Sequence, residues 1–152
     1  MIDRQLADFL EEGIGIHIGT CDERLQPHGA RAAAVKVDED GQHLVVYVAE
    51  VAAPRLIPSL ESNGRAAVSF GRPIDDRACQ VKGVLVEVRP ATEAERPFVQ
   101  AQRAGFLEQL ERIGIPRANA ANWAIWPAVA IRLKATAVFE QTPGPHAGAP
   151  LR

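Results

Sequence analysis

Short alternating runs broken by turn signals leave this chain little choice but a sheet. Ile14, Ile16 and Ile18 alternate with Gly15, His17 and Gly19, the period of a strand with one bare face. Asp22 to Pro27 reads as a turn, and HGARAAAVKV (28–37) as the next strand. Glu39-Asp40-Gly41 is a hairpin signal, and His43 to Ala49 returns from it. That return strand is apolar on both faces, so it is expected to be central. Arg65 to Gly71, Ala78 to Val88 and Ala128 to Phe139 complete six strands. In the fifth, Gln80 and Lys82 share a side with Val84, Val86 and Val88; in the last, Val129, Ile131, Leu133, Ala135 and Ala137 share one. Helical spacing is confined to 2–12, to a short 53–62 that Pro58 should break into a 3₁₀-like turn, and to 93–113. In the last of these Thr92 and Glu95 form a capping box, and Phe98, Ala101, Gly105 or Phe106, Leu110 and Ile113 mark the buried stripe. Six short strands with few helices predict a mainly β domain, an antiparallel β-barrel with flanking helices. The domain spans 1–152, and the Pro- and Gly-rich 140–152 forms an extended tail.

Composition narrows the function. With 47% hydrophobic and 24% charged residues the chain is an ordinary globular one, and a net charge of −2 gives no footprint for nucleic acid. The N-terminus is no signal peptide, and no apolar run approaches the ~20 residues needed to span a bilayer, so a cytoplasmic protein is expected. Cys21 and Cys79 read as small buried hydrophobes, without a disulfide framework, and no metal-ligand spacing is present. There is no G-x-S-x-G, H-E-x-x-H, P-loop or G-x-G-x-x-G, and four scattered histidines give a triad little to stand on. A cofactor that brings its own reactivity fits better than hydrolytic chemistry, and no catalytic residue is named.

Cations are the remaining signal. Arg31 and Lys36 stand between small side chains in one expected strand, a pattern that suits either a bound phosphate or a solvated face. They are five residues apart, and an odd separation in a regular strand puts side chains on opposite faces. Sharing one anion therefore demands a bulge, a strand end, or a site divided between subunits. Arg55 opens the short helix, where free N–H groups favour anions. Gln80 carries an amide suited to a heterocycle edge.

Taken in order, ARAAAVKV, the acidic-Gly turn, LVVYV, the helix closing in SNGRAAVSF, and CQVKG resemble the FMN-binding split barrels of the pyridoxamine 5′-phosphate oxidase type over about residues 10–140. The resemblance implies a six-stranded antiparallel split barrel, a homodimer with FMN in the groove between subunits, and oxidoreductase chemistry through the flavin on an unidentified small substrate. It implies Arg31 and Lys36 around the phosphate and ribityl chain, Tyr47 and Val48 nearby through their backbone, Arg55 on the phosphate and Gln80 on the flavin. Pro54, Arg55 and Leu56 stand where the family usually shows Ser-x-Lys, and QTPGPHAG replaces the oxidase's Arg-containing ending. The resemblance is thus to a relative of the oxidase. The tail with Trp123 and Trp126 either covers the flavin edge or packs over the barrel. The alternative on the same barrel is a non-catalytic protein for a flavin, a deazaflavin or haem, with His17 or His146 as axial ligand in the haem version.

Overall fold

The computed structural model describes residues 2–151, so both end residues of the expected domain lie outside it. Seven strands form one antiparallel sheet: β1 (Gly15–Cys21), β2 (Pro27–Ala32), β3 (Ala34–Val37), β4 (His43–Ala49), β5 (Arg65–Gly71), β6 (Ala78–Pro90) and β7 (Ala128–Glu140). Four helices flank them: α1 (Arg4–Glu11), α2 (Leu56–Asn63), α3 (Arg96–Arg112) and α4 (Ala118–Ala121).

The strand order is β2-β1-β5-β6-β7-β4-β3. Its two ends are the two halves of one run of chain, HGARA and AVKV, joined by Ala33. The expected second strand is therefore two, which makes seven strands instead of six. The first half pairs with β1, the second with β4, and the Ala33 amide donates to the Tyr47 carbonyl at 2.7 Å. The curl that brings the ends together is what makes the sheet a split barrel. Inside it Ile16, Ile18, Leu44, Val46, Val48, Val68, Phe70, Val81, Ile131 and Leu133 form the core, closed by Phe9 and Leu10 of α1 and Leu56 and Leu60 of α2.

Ala33 also answers the parity problem. Ala30 and Ala32 face the interior, which leaves Arg31 outside. After the kink Val35 and Val37 face inward, while Ala34 packs in a second cluster outside the barrel and Lys36 pairs with Val45 of that cluster. One extra residue thus puts Arg31 and Lys36 on the same outer face.

Irregularities elsewhere overturn two expected faces. β6 shifts register between Leu85 and Glu87, so Val88 pairs with Ile131 and turns inward instead of staying with Gln80 and Lys82. On β7 the pairing skips Thr136, so Ala137 sits opposite exposed Lys82, away from Ile131 and Leu133. A bulge flips every side chain beyond it, and neither bulge carries a composition signal. Pro58 does not break α2. It is the third residue of the helix, where its missing N–H has no partner to lose, and Pro54 precedes the helix instead of starting it.

α3 is seated by close contact. A Cβ on Gly13, whose φ is +84°, would stand 2.6 Å from the Gln102 carbonyl oxygen. Only glycine lets this turn and the helix approach so closely. Gln102 then stitches α3 to the free edge of β3: its Oε1 accepts from the Val35 amide at 3.0 Å, and its Nε2 donates to the Val35 carbonyl at 2.6 Å. Gln109 donates to the Gly13 carbonyl at 3.0 Å. The buried stripe is therefore Val99, Gln102, Arg103, Phe106, Leu107, Gln109 and Leu110, rotated from the apolar set that spacing suggested.

The expected capping box holds the start of α3. The Glu95 carboxylate accepts from the Thr92 amide (2.8 Å), the Thr92 hydroxyl (3.0 Å), Arg89 (2.7 and 2.9 Å) and the Tyr47 hydroxyl (2.8 Å). Arg89 beside it, with these hydrogen bonds, holds its carboxyl well below the usual range.

Candidate functional site: an arginine cleft on the outer face

Register aligns four side chains across the outside of the barrel. Arg31 on β2 pairs with His17 on β1, His17 with Ser69 on β5, and Ser69 with Gln80 on β6. Gln80 Nε2 donates to Ser69 Oγ at 3.1 Å. Three strand spacings of about 4.8 Å place the ends of this row roughly 14 Å apart. The neighbouring row is Gly29, Gly19, Ala67 and Lys82, and its first three members are small enough to leave the surface bare as far as Lys82. The bare face expected around His17 is thus wider than one strand. Burial, and then the charge of Arg31, hold the His17 imidazole below its ordinary pKa.

At the Arg31 end the face deepens into a cleft of about 390 Å³. Its floor includes Gly15 and Ile16, and its walls Ala52, Arg103, Phe106 and Trp123. A Cβ on Gly15 would stand 3.2 Å from the Gly71 carbonyl oxygen, a tight approach between neighbouring strands. α4 packs Ala120 against Phe106, Leu107 and Leu110 of α3, and an Arg117–Glu111 ion pair at 2.9 Å ties the same segment down. This packing sets the Trp123 indole over the cleft. The Arg31 guanidinium carbon lies 3.8 Å from the indole centroid, the Arg103 carbon 5.4 Å, and the Phe106 ring 6.3 Å.

Neither arginine is neutralised. Among the described residues neither takes part in an ion pair. Arg103 is 8% exposed, and its buried Nη2 has no hydrogen-bond partner. Burial lowers the pKa of both guanidinium groups, and the proximity of Arg31 lowers that of Arg103 further. A guanidinium stacked flat on an indole keeps its in-plane N–H donors free. The arrangement sets a buried cation beside an exposed one, and an anion shared by them would relieve their repulsion.

The six residues expected at the site fall in different places. Arg31 and Gln80 share the outer row. Arg55 is exposed at the N-cap of α2 and lines a second small cleft with Pro27, His28 and Gly29; Ala52 borders both clefts. Lys36 lies on the outer face but lines a separate cleft against α1, beside Asp3, Asp8, Glu11 and Asp38. Tyr47 is buried outside the barrel under α3 with its hydroxyl on Glu95, and burial raises its pKa well above the ordinary value. The Val48 side chain points into the barrel core. Sequence reasoning missed Arg103. Its signal was a cation four residues after Val99 and three before Phe106, on the stripe that must be buried.

One acidic grouping exists apart from this face. Asp38, Asp40 and His43 lie close together at the β3–β4 turn, where Asp40 accepts from the Gln42 and His43 amides and pairs with the His43 ring, and Asp38 pairs with Arg132. These bonds make it a turn scaffold.

No protein-family model and no curated protein matches the sequence. Solved structures do match the fold. An F420 reductase is 21% identical, with a TM-score of 0.58 over 86% of this chain and 93% of that one. HupZ of Group A Streptococcus is 16% identical, with a TM-score of 0.57 over 97% and 100%. An FMN-binding protein of Syntrophomonas wolfei is 13% identical, with a TM-score of 0.55 over 90% and 86%. The chain shares the split-barrel fold with them.

Proposed function

We propose that this protein binds FMN along the outer face and serves as a flavin-dependent oxidoreductase for a small substrate. The observation that carries the reading is the row from Arg31 to Gln80: an uncompensated cation at one end, an amide at the other, His17 and Ser69 between them, and the bare backbone of Gly29, Gly19 and Ala67 alongside. Its length of roughly 14 Å suits a flavin mononucleotide laid from phosphate to ring. Arg31 takes the phosphate, with Arg55 on its far side. The glycines admit the ribityl chain, and Gln80 presents donor and acceptor to the heterocycle. Bound there, FMN supplies the electron or hydride transfer, while the chain binds, orients and shields it. An F420 reductase and an FMN-binding protein with this fold support a flavin-type ligand.

The active unit in this reading is a homodimer. Lys36 shares the outer face with Arg31 but lines a different cleft, so it reaches a cofactor only if a second copy carries that cofactor past it. Val84 and Val86, exposed on β6, offer apolar surface for such a contact. The localisation proposed is cytoplasmic; among the described residues no helix is long and apolar enough to cross a membrane.

The test is the visible spectrum of the purified protein after equilibration with FMN and gel filtration. Retained flavin absorbance that bleaches anaerobically with NADH or NADPH supports an oxidoreductase. Retained flavin that no donor reduces leaves only a binding role, and a colourless eluate overturns the reading.

A further inference from the structure

Arg103 lies outside every motif that points to FMN, yet it is the least satisfied cation in the structure. Its guanidinium is buried in the wall of the cleft, and Nη2 has no partner among the described residues. A buried donor left unpaired is costly, and a folded chain keeps one where a ligand supplies the partner. The walls around it fix what that ligand looks like. Trp123 and Phe106 face the cleft with ring centroids 6.3 Å apart and planes inclined by 31°, and Ile14, Ile16 and Ala33 complete an apolar lining. Among the described residues no carboxylate lines the cleft.

We propose that this cleft is a substrate subsite for a flat organic anion, its carboxylate or phosphate on Arg103 and its ring beside Trp123 and Phe106. As a substrate subsite it deepens the flavin reading and rests on it; as an anion site it stands on Arg103 alone. Arg31 separates the two ligands. Its guanidinium lines the cleft on one side, and its strand borders the Arg55 cleft on the other, so it screens the repulsion between a cofactor phosphate and the substrate anion. An uncharged ring leaves Arg103 unpaired, and a small anion without a ring leaves the aromatic walls uncovered. Both bind less well than a molecule with both parts.

The experiment titrates the full-length protein with benzoate, benzamide and inorganic phosphate, following tryptophan fluorescence, with FMN affinity measured separately by quenching of flavin fluorescence. Benzoate is expected to give a saturable change that Trp123→Phe removes and that leaves Trp126 emission in place. Benzamide, equal in shape but uncharged, and phosphate, charged but ringless, are each expected to bind at least tenfold more weakly. Arg103→Gln weakens benzoate at least tenfold, Arg103→Lys restores part of the loss, and both keep FMN affinity within threefold of wild type. Equal binding of benzoate and benzamide overturns the proposal, as does unchanged benzoate affinity in a folded Arg103→Gln protein. A parallel loss of FMN in Arg103→Gln also overturns it, because Arg103 then belongs to the cofactor phosphate. Wild type that binds benzoate as described but no FMN refutes the flavin reading and upholds the anion site.

Discussion

Replacing Glu95 by alanine is predicted to loosen the start of the helix that carries Arg103. Its carboxylate is the acceptor for Tyr47, Arg89 and both donors of Thr92. Tyr47 is 1% exposed, so its hydroxyl loses its partner without gaining water. An orphaned buried hydroxyl costs about 1–3 kcal/mol. The lost capping box adds about 1 kcal/mol. The Arg89 partner is about one-third exposed and adds little after solvent screening. The sum is about 2–4 kcal/mol, or a melting point lowered by roughly 5–15 °C for a chain of this size. Circular dichroism during thermal and urea unfolding measures it. Tyr47→Phe in the Glu95→Ala background removes the orphan, so the double variant should regain about 1 kcal/mol over the single one. The pH dependence has a definite sign. Folding depresses the Glu95 pKa below its ordinary 4.5, so its contribution is complete above that value and is lost as pH falls toward the folded pKa. The stability gap between wild type and Glu95→Gln should therefore be flat at neutral pH and narrow below about 4.5. A Glu95→Ala protein within about 0.5 kcal/mol of wild type, or strict additivity in the double variant, would mean that this carboxylate does not hold the helix start.

Gln102→Leu leaves the buried Val35 N–H and C=O without partners and is predicted to cost about 2–4 kcal/mol in urea unfolding; a loss below 1 kcal/mol would mean that α3 does not hold the β3 edge. His17 should titrate below 6.5 by NMR, and Arg31→Gln should move it up only part of the way, because burial is the larger cause. Since its folded pKa is the lower one, His17 favours folding above 6.5 and loses that contribution as pH falls; an unmoved resonance in Arg31→Gln would separate the two residues. Cys79 is buried with its thiol pushed up to about 12, so a thiol reagent at pH 8 should label only Cys21 until the protein unfolds.

Periodicity and turn chemistry made the barrel legible. Alternation placed the strands, Gly41 adopts a positive φ where Asp40-Gly41 signalled a turn, and the Thr92–Glu95 capping box stands where it was read. What escaped was set by residues that carry no pattern. Ala33 is one alanine among four neighbours, yet as the kink it decides that Arg31 and Lys36 share a face. Val86 and Thr136 flip the strands beyond them without any change of composition. Arg103 escaped because a charged residue on a helix is usually solvated, and only the packing of α3 against Gly13 shows that its stripe is buried. Arg31 and Gln80 were legible as candidates, but their alignment in one row follows from pairings among four strands that spacing alone does not give.

In the proposed complex Arg31 and Gln80 hold the two ends of one FMN molecule. The most direct measurement is an FMN titration of wild type, Arg31→Ala, Gln80→Ala and, as a control, Arg24→Ala, which alters an exposed turn. Arg31→Ala is expected to weaken binding by about 1.5–3 kcal/mol, roughly 10- to 150-fold, through loss of a charge-assisted contact. A smaller loss is expected in Gln80→Ala and none in Arg24→Ala. FMN bound equally well by Arg31→Ala and wild type would contradict this placement.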